Sequence, residues 1–320
     1  MTAIAARPRL RQRIPARRYL ASLYLDNVAG RGSLQLCLGL LWLLDAALQF
    51  QPYMFSPFFV TQVILPAADG NPGVIASSIT WAGHAMLPHV AVYNAIFAVI
   101  QLLIAVGIIV RRTRKLALAA SIAWAVAVWW FGEGLGGILT GASPLAGVPG
   151  AVIIYALIAI LLWPAEKKPV SPAASPAESG PLGPLGARIV WLVLWASFCY
   201  FLLLPDNRAA GAVSQVVSVT DGQPGWVTAV MNAIASAAGQ HGLVISISLT
   251  VLCGCVAVGV QSRRLVRPAL AVAAAVALFF WIAEGLGGIL TGQGTDPNSG
   301  PLLVLLAACF WPRRMPQVSG

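Results

Sequence analysis

Charge is what this chain has least of. Only 9% of its 320 residues are Asp, Glu, Lys or Arg, whereas 58% are hydrophobic. Soluble domains carry about 25% charged residues, so the deficit excludes an ordinary soluble domain and points to a polytopic membrane protein. Histidine is limited to three residues and cysteine to five. The cysteines (Cys37, Cys199, Cys253, Cys255 and Cys309) all fall in apolar runs, where thiols act as small buried hydrophobes instead of disulfide partners. Cys253-Gly-Cys255 lacks the two-residue spacer of redox and metal motifs. A phosphate loop, a nucleophile elbow and a haem-attachment motif are all missing. The sequence therefore assigns no cofactor or metal, and leaves open whether the chain is an enzyme.

What charge there is leans one way, to a net +10. That value invites a nucleic-acid reading, but the arginines and lysines sit in short blocks beside apolar runs, as orientation signals do. No groove-reading helix or base-stacking aromatic set accompanies them, so nucleic acid is not an expected partner. Residues 1–32 form a basic arm that includes Arg7, Arg9, Arg11, Arg13, Arg17 and Arg18. It is too long and polar for the front of an ordinary cleaved signal peptide. Its composition fits a plain cytoplasmic arm, or an organelle transit peptide.

A helix needs about 20 apolar residues to cross a core about 30 Å thick. Eight runs are expected to do so: 33–51, 90–110, 116–131, 147–163, 189–204, 242–260, 269–282 and 301–311. The last is only eleven residues, so a dipping Gly292–Gly300 segment or a locally thinned bilayer is expected beside it. Residues 164–187, with six prolines, read as a flexible cytoplasmic linker between two units at 33–163 and 188–312, with a short tail at 313–320. With eight spans, nineteen of the twenty basic residues fall on one side and only Arg208 on the other. The expected placement is the cytoplasmic (inner) membrane with both termini cytoplasmic.

The units are copies. EGLGGILTG stands at Glu133–Gly141 and recurs letter for letter at Glu284–Gly292, 151 positions later. Trp42 and Pro52 match Trp195 and Pro205, and Asp69-Gly-Asn-Pro-Gly73 matches Asp221-Gly-Gln-Pro-Gly225. His89 and His241 each precede a double arginine by 22 residues, and Trp163-Pro164 matches Trp311-Pro312. The fold class expected is all-α: eight transmembrane helices as two parallel four-helix repeats, related by a pseudo-twofold axis along the membrane normal. The long apolar segments 51–89 and 205–241 are expected to lie at the outer interface as lids.

Leu34–Phe55, LQLCLGLLWLLDAALQFQPYMF, resembles the opening span of DoxX-like membrane proteins, a leucine-rich helix of small residues followed by proline and aromatics. The resemblance implies a four-helix fold for each half, in a family with some members associated with thiosulfate:quinone oxidoreduction. It assigns no catalytic residue. EGLGGILTG is similar to a signature of bacterial integral membrane proteins and implies no particular activity.

Against so apolar a background, the few acids and histidines are the candidate site. Glu133 lies 18 residues beyond Lys115, and Glu284 17 beyond Arg267, about 27 and 26 Å along a helix, which puts both at the outer edge of the core. A carboxylate there is either interfacial or a proton, cation or substrate group. Asp45 falls near mid-bilayer with Gln49 one turn on as its expected partner and Gln101 as another; its counterpart in the second half is Phe198. His89 and His241 share the expected depth of the glutamates, which leaves structural, metal and proton-relay readings open. Thr140 and Thr291 are expected to line an outer vestibule. The glycines suit close helix approach, Gly132-xxx-Gly136 and Ala283-xxx-Gly287, with a chain break as the alternative.

Three functions fit these features. The first is a small-solute or cation permease, proton-linked, that uses Asp45, Glu133 and Glu284. The second is a DoxX-like, quinone-linked membrane redox subunit. The third is a non-catalytic assembly or interaction protein. The bilayer is the expected partner, and a membrane or periplasmic protein partner is left open.

Overall fold

The computed structural model describes residues 30–164, 174–217 and 222–313. Nearly all of the basic arm, the centre of the linker, Asp221 and most of the tail lie outside the described residues. Among those residues the fold is helical throughout, without a strand. Six helices are long and apolar enough to cross a membrane. They are α1 (Arg31–Leu48), α4 (Val90–Ile109), α5 (Arg114–Phe131), α7 (Gly183–Leu202), α10 (Gly242–Gly259) and α11 (Val266–Ala283). The shorter apolar helices are α2 (Pro57–Ala68), α3 (Gly73–Met86), α6 (Ala151–Leu161), α8 (Ala212–Val217), α9 (Gly225–Ala238) and α12 (Ser299–Cys309).

Two of the eight expected spans are therefore half-length. The run expected at 147–163 shortens to the eleven residues of α6, because Gly147 and Gly150 hold positive-φ, non-helical backbone before it. α12 has eleven residues as well. Each is about 17 Å long, little more than half a hydrocarbon core.

α1 packs on α4, α4 on α5, and α5 on α6; α7, α10, α11 and α12 contact one another in the same succession. The halves meet where α12 lies against α6 and α1. Large side chains fill the centre, with Trp42, Tyr155, Trp191, Trp195, Phe198 and Phe280 fully buried. The outward faces of the same helices are also apolar, with Leu103, Val193 and Val258 exposed. In lipid such an exterior carries no hydrophobic penalty, so packing and interhelical hydrogen bonds of about 0.6–2 kcal/mol each hold the helices together. Trp42 Nε1–H donates to Ser121 Oγ at 2.9 Å, and Trp191 Nε1–H to the Val256 carbonyl at 3.1 Å. Asn94 donates to the Gln49 carbonyl at 2.8 Å, and Ser246 donates to the corresponding carbonyl of Leu202.

Of the linker expected over 164–187, residues 165–173 lie outside the described residues. From 174 the chain lies against the bundle, with Ser175 and Ala177 buried and the Ala177 N–H on the Cys309 carbonyl at 2.9 Å. Arg31 ties this segment down by donating to the carbonyls of Trp163 and Pro176. Glu178 pairs with Arg188 at 2.8 Å. Small residues and prolines that fail to form a helix here still bury well, and α7 starts six residues ahead of the expected span, at 183 rather than 189.

Candidate functional site

The repeated nonapeptide is a turn of the wrong hand. After α5, Gly134, Leu135, Gly136 and Gly137 take φ of 54, 59, 59 and 75°; after α11, Gly285 to Gly288 take 63, 57, 66 and 65°. Four successive left-handed residues reverse the chain within one turn. A non-glycine residue in that region costs roughly 1–2 kcal/mol, which explains glycine at three of the four positions and leaves the leucine as the strained member. The close helix approach expected of Gly132-xxx-Gly136 and Ala283-xxx-Gly287 is replaced by this break. What Gly136 admits is backbone: a β-carbon there would lie 1.9 Å from the Pro149 carbonyl oxygen. The second recurrent motif meets the first. Asn71 of DGNPG lies over Gly134, and Gln223 of DGQPG donates to the Gly285 carbonyl at 2.6 Å.

Reversal brings each glutamate to the start of the half-length helix that follows. Glu133 Oε1 accepts from the N–H groups of Ala151 and Val152 at 3.1 and 3.2 Å. Glu284 Oε1 accepts from Ser299 Oγ at 2.8 Å, while the Ser299 N–H is taken by Asn298. A helix start leaves four N–H donors without intrahelical partners, and a carboxylate there also complements the helix dipole. Gly150 leaves room for the carboxylate, since a β-carbon on it would meet Glu133 Oε2 at 2.2 Å.

Beside Glu133 lies a cavity of about 340 Å³. Its walls are mostly rings and aliphatic chains, among them Trp42, Phe59, Tyr93, Phe97, Trp124 and Phe131. Its polar lining includes Asp45, Gln49, Gln101, Glu133, Thr295 and Asp296. Asp45 is buried on α1, and the Tyr155 hydroxyl of α6 donates to it at 2.9 Å; the expected partner Gln49 does not bond it. Asp296 arrives from the other half, in the α11–α12 connection. Its oxygens accept from the Asn298 N–H at 2.6 Å and the Thr295 hydroxyl at 2.9 Å. Burial pushes the Asp296 carboxyl above the usual range, opposed by those two donors. The side-chain oxygens Gln49 Oε1, Gln101 Oε1 and Glu133 Oε2, and the indole N–H of Trp124, are buried without a hydrogen-bond partner.

Several expected site residues stand elsewhere. His89 and His241 are exposed at the starts of α4 and α10, and neither is part of the cavity lining. Among the described residues no group of three His, Cys, Asp or Glu side chains is placed to hold a metal. Thr140 and Thr291 are not part of the cavity lining, and each hydroxyl closes the glycine turn on the carbonyl of Gly137 or Gly288, at 3.1 and 2.7 Å. Glu284 does not line the cavity.

Asp296 and Tyr155 escape a reading based on shared motifs because they are differences between copies. Counting back from Trp163 and Trp311, Tyr155 stands opposite Leu303 and Val148 opposite Asp296. Aligning the halves and looking for positions polar in one alone would have found both.

Compared with family models, with curated proteins and with solved structures, the chain matches none.

Proposed function

We propose that this chain is a proton-linked permease for a small cation, with the acid-floored cavity as its binding site. The observation behind the reading is that carboxyls from both halves, Asp45, Glu133 and Asp296, converge on one apolar cavity. Acids inside a membrane domain are expensive unless they serve a pathway. Ionised, they hold a cation; protonated, they release it, so protons and cation exchange with charge balanced. The reading takes α6 and α12 as completing two further crossings to make eight, in two parallel repeats about a pseudo-twofold axis. The arginine-rich ends are cytoplasmic, and the cavity lies toward the outer end.

The DoxX-like redox reading ranks below it on chemistry. A quinone offers two carbonyl acceptors and wants donors, whereas the unpartnered groups around the cavity are three oxygens and one N–H. The assembly reading draws support from the two glutamates, whose bonds to the starts of α6 and α12, backbone N–H groups for Glu133 and the Ser299 hydroxyl for Glu284, account for their recurrence without any solute.

Proteoliposomes with an imposed pH gradient test the proposal. Cation flux that collapses with Asp45→Asn, in protein that still melts normally, is the expected result. Flux unchanged by Asp45→Asn for every cation tested overturns it and leaves the assembly reading.

A further inference from the structure

We infer that the cavity takes a lipophilic organic cation bearing N–H donors, an aryl-alkylammonium of about ten to fifteen heavy atoms, entering sideways between α3 and α5. This rests on the reading of the cavity as a cation site and adds the chemical class and the route. Three observations carry it.

The first is the wall. Tyr93, Phe97 and Trp124 line the cavity together, with the Phe97 and Trp124 ring centroids 5.3 Å apart. Ring faces attract organic cations by roughly 0.5–2 kcal/mol each when desolvated, and accept an aryl or alkyl tail equally well. An inorganic cation needs several oxygens in its first shell and is poorly served by rings. A volume of about 340 Å³ falls at the lower end of the range for small-molecule pockets, roughly 300–1,000 Å³.

The second is the donor and acceptor count. Gln49 and Gln101 are nine-tenths buried and line the cavity, and their side-chain oxygens have no partner. With Glu133 Oε2 they ask for N–H groups, not for a quaternary nitrogen that has none. Asp45 and Asp296 supply the charge.

The third is the mouth. Trp81 on α3 and Phe131 on α5 line the cavity while 70% and 40% exposed, and Ala85 beside them is exposed as well. Among the described residues, the exposed part of the lining here (Trp81, Ala85 and Phe131) carries no charge. On helices that face lipid, such an opening receives solute from the bilayer, where an amphipathic amine already partitions.

Four probes titrated against the full-length chain in nanodiscs test the inference, with quenching of the cavity tryptophans as the signal. They are 4-phenylbutylammonium, its N,N,N-trimethyl derivative, 4-phenylbutan-1-ol and sodium ion. The primary ammonium is expected to bind about tenfold tighter than the trimethyl form and about a hundredfold tighter than the alcohol. Sodium should leave the signal unchanged. Asp45→Asn should remove the preference of ammonium over alcohol while the alcohol binds as before. Ala85→Trp, an exposed position, should slow binding at least tenfold with an unchanged melting temperature. Equal binding of alcohol and ammonium, or displacement of the ammonium by sodium, overturns the inference. Proton-coupled sodium flux without ammonium binding would defeat it and spare the permease reading. Ammonium binding without any proton-coupled flux would spare the site and defeat the permease.

Discussion

At four positions the first half turns a polar side chain into its bundle where the second half carries an apolar one. Asp45, Gln49, Gln101 and Tyr155 stand opposite Phe198, Leu202, Cys253 and Leu303, counting from Trp42 and Trp195, His89 and His241, and Trp163 and Trp311. Phe198 is fully buried between the Trp195 and Phe280 rings, with centroids 5.3 and 5.9 Å away. The groups kept in both halves are those that build the frame: the left-handed turn, its glutamate, and the tie from α4 or α10 to a carbonyl at the end of α1 or α7. Most of the duplicated chemistry builds the frame, Glu133 being the duplicated group that also lines the cavity, and the other polar groups of the cavity are not duplicated.

The sharpest way to break the shared frame is Gly136→Ala or Gly287→Ala. A β-carbon meets backbone at 1.9 Å in the first and 2.7 Å in the second, on top of a left-handed φ in both. Each should cost about 3 kcal/mol or more and the first should be worse, read as loss of folded protein in detergent extracts. Next come Glu133→Ala, which removes a cap, and Glu284→Ala, which removes the acceptor of the Ser299 hydroxyl; each should lower stability by about 1–2 kcal/mol. Glutamine at either position should restore most of this, since its amide oxygen also accepts; thermal melts by circular dichroism decide it. If Glu133→Gln abolishes cation flux at normal stability while Glu284→Gln does not, the comparison sharpens, because only Glu133 touches the cavity.

Tyr155→Phe follows, at about 1 kcal/mol for one hydrogen bond to a buried acid. Leu303→Phe, its counterpart, has no such bond to lose and should change ligand binding not at all. The smallest effect is on pH dependence. Burial raises the Asp296 carboxyl, so the folded chain keeps that proton to a higher pH than the unfolded chain. Its contribution is complete below the unfolded value and fades as pH rises through the folded one. Asp296→Asn should therefore raise the melting temperature slightly near pH 7 and leave it nearly unchanged near about pH 4.

Much of the frame is legible in the amino acids alone, because lipid-facing helices are long apolar runs and their ends carry arginine. The ends of α4 and α10 fall within one residue of expectation, at Ile109 and Gly259. The half-length helices are less legible: α6 is flanked by Val148 and Leu162, apolar residues that extend the run without being helical. Composition also misplaces residues 174–182, whose alanines and prolines read as a linker but pack beneath Arg31. The hand of the GLGG turn cannot be seen in glycine spacing, which suits helix packing equally well. Among the site acids Asp45 and Glu133 stand out by charge in an apolar run, whereas Asp296 sits in a polar loop where an aspartate attracts no notice.

The half-length helices also bear on how the chain enters a bilayer. A segment of eleven residues such as α6 or α12 lacks the roughly 20 apolar residues that commit a helix to the membrane by itself. Each is preceded by a full-length partner and a glycine turn, so on the proposed eight-span reading the two would partition as a hairpin, α5 with α6 and α11 with α12. The glutamate between them goes in already bonded to the helix it starts. On this account the nonapeptide is an instruction about biogenesis as much as about shape. Its loss should show first as chains degraded at insertion, before any folded protein exists to be assayed.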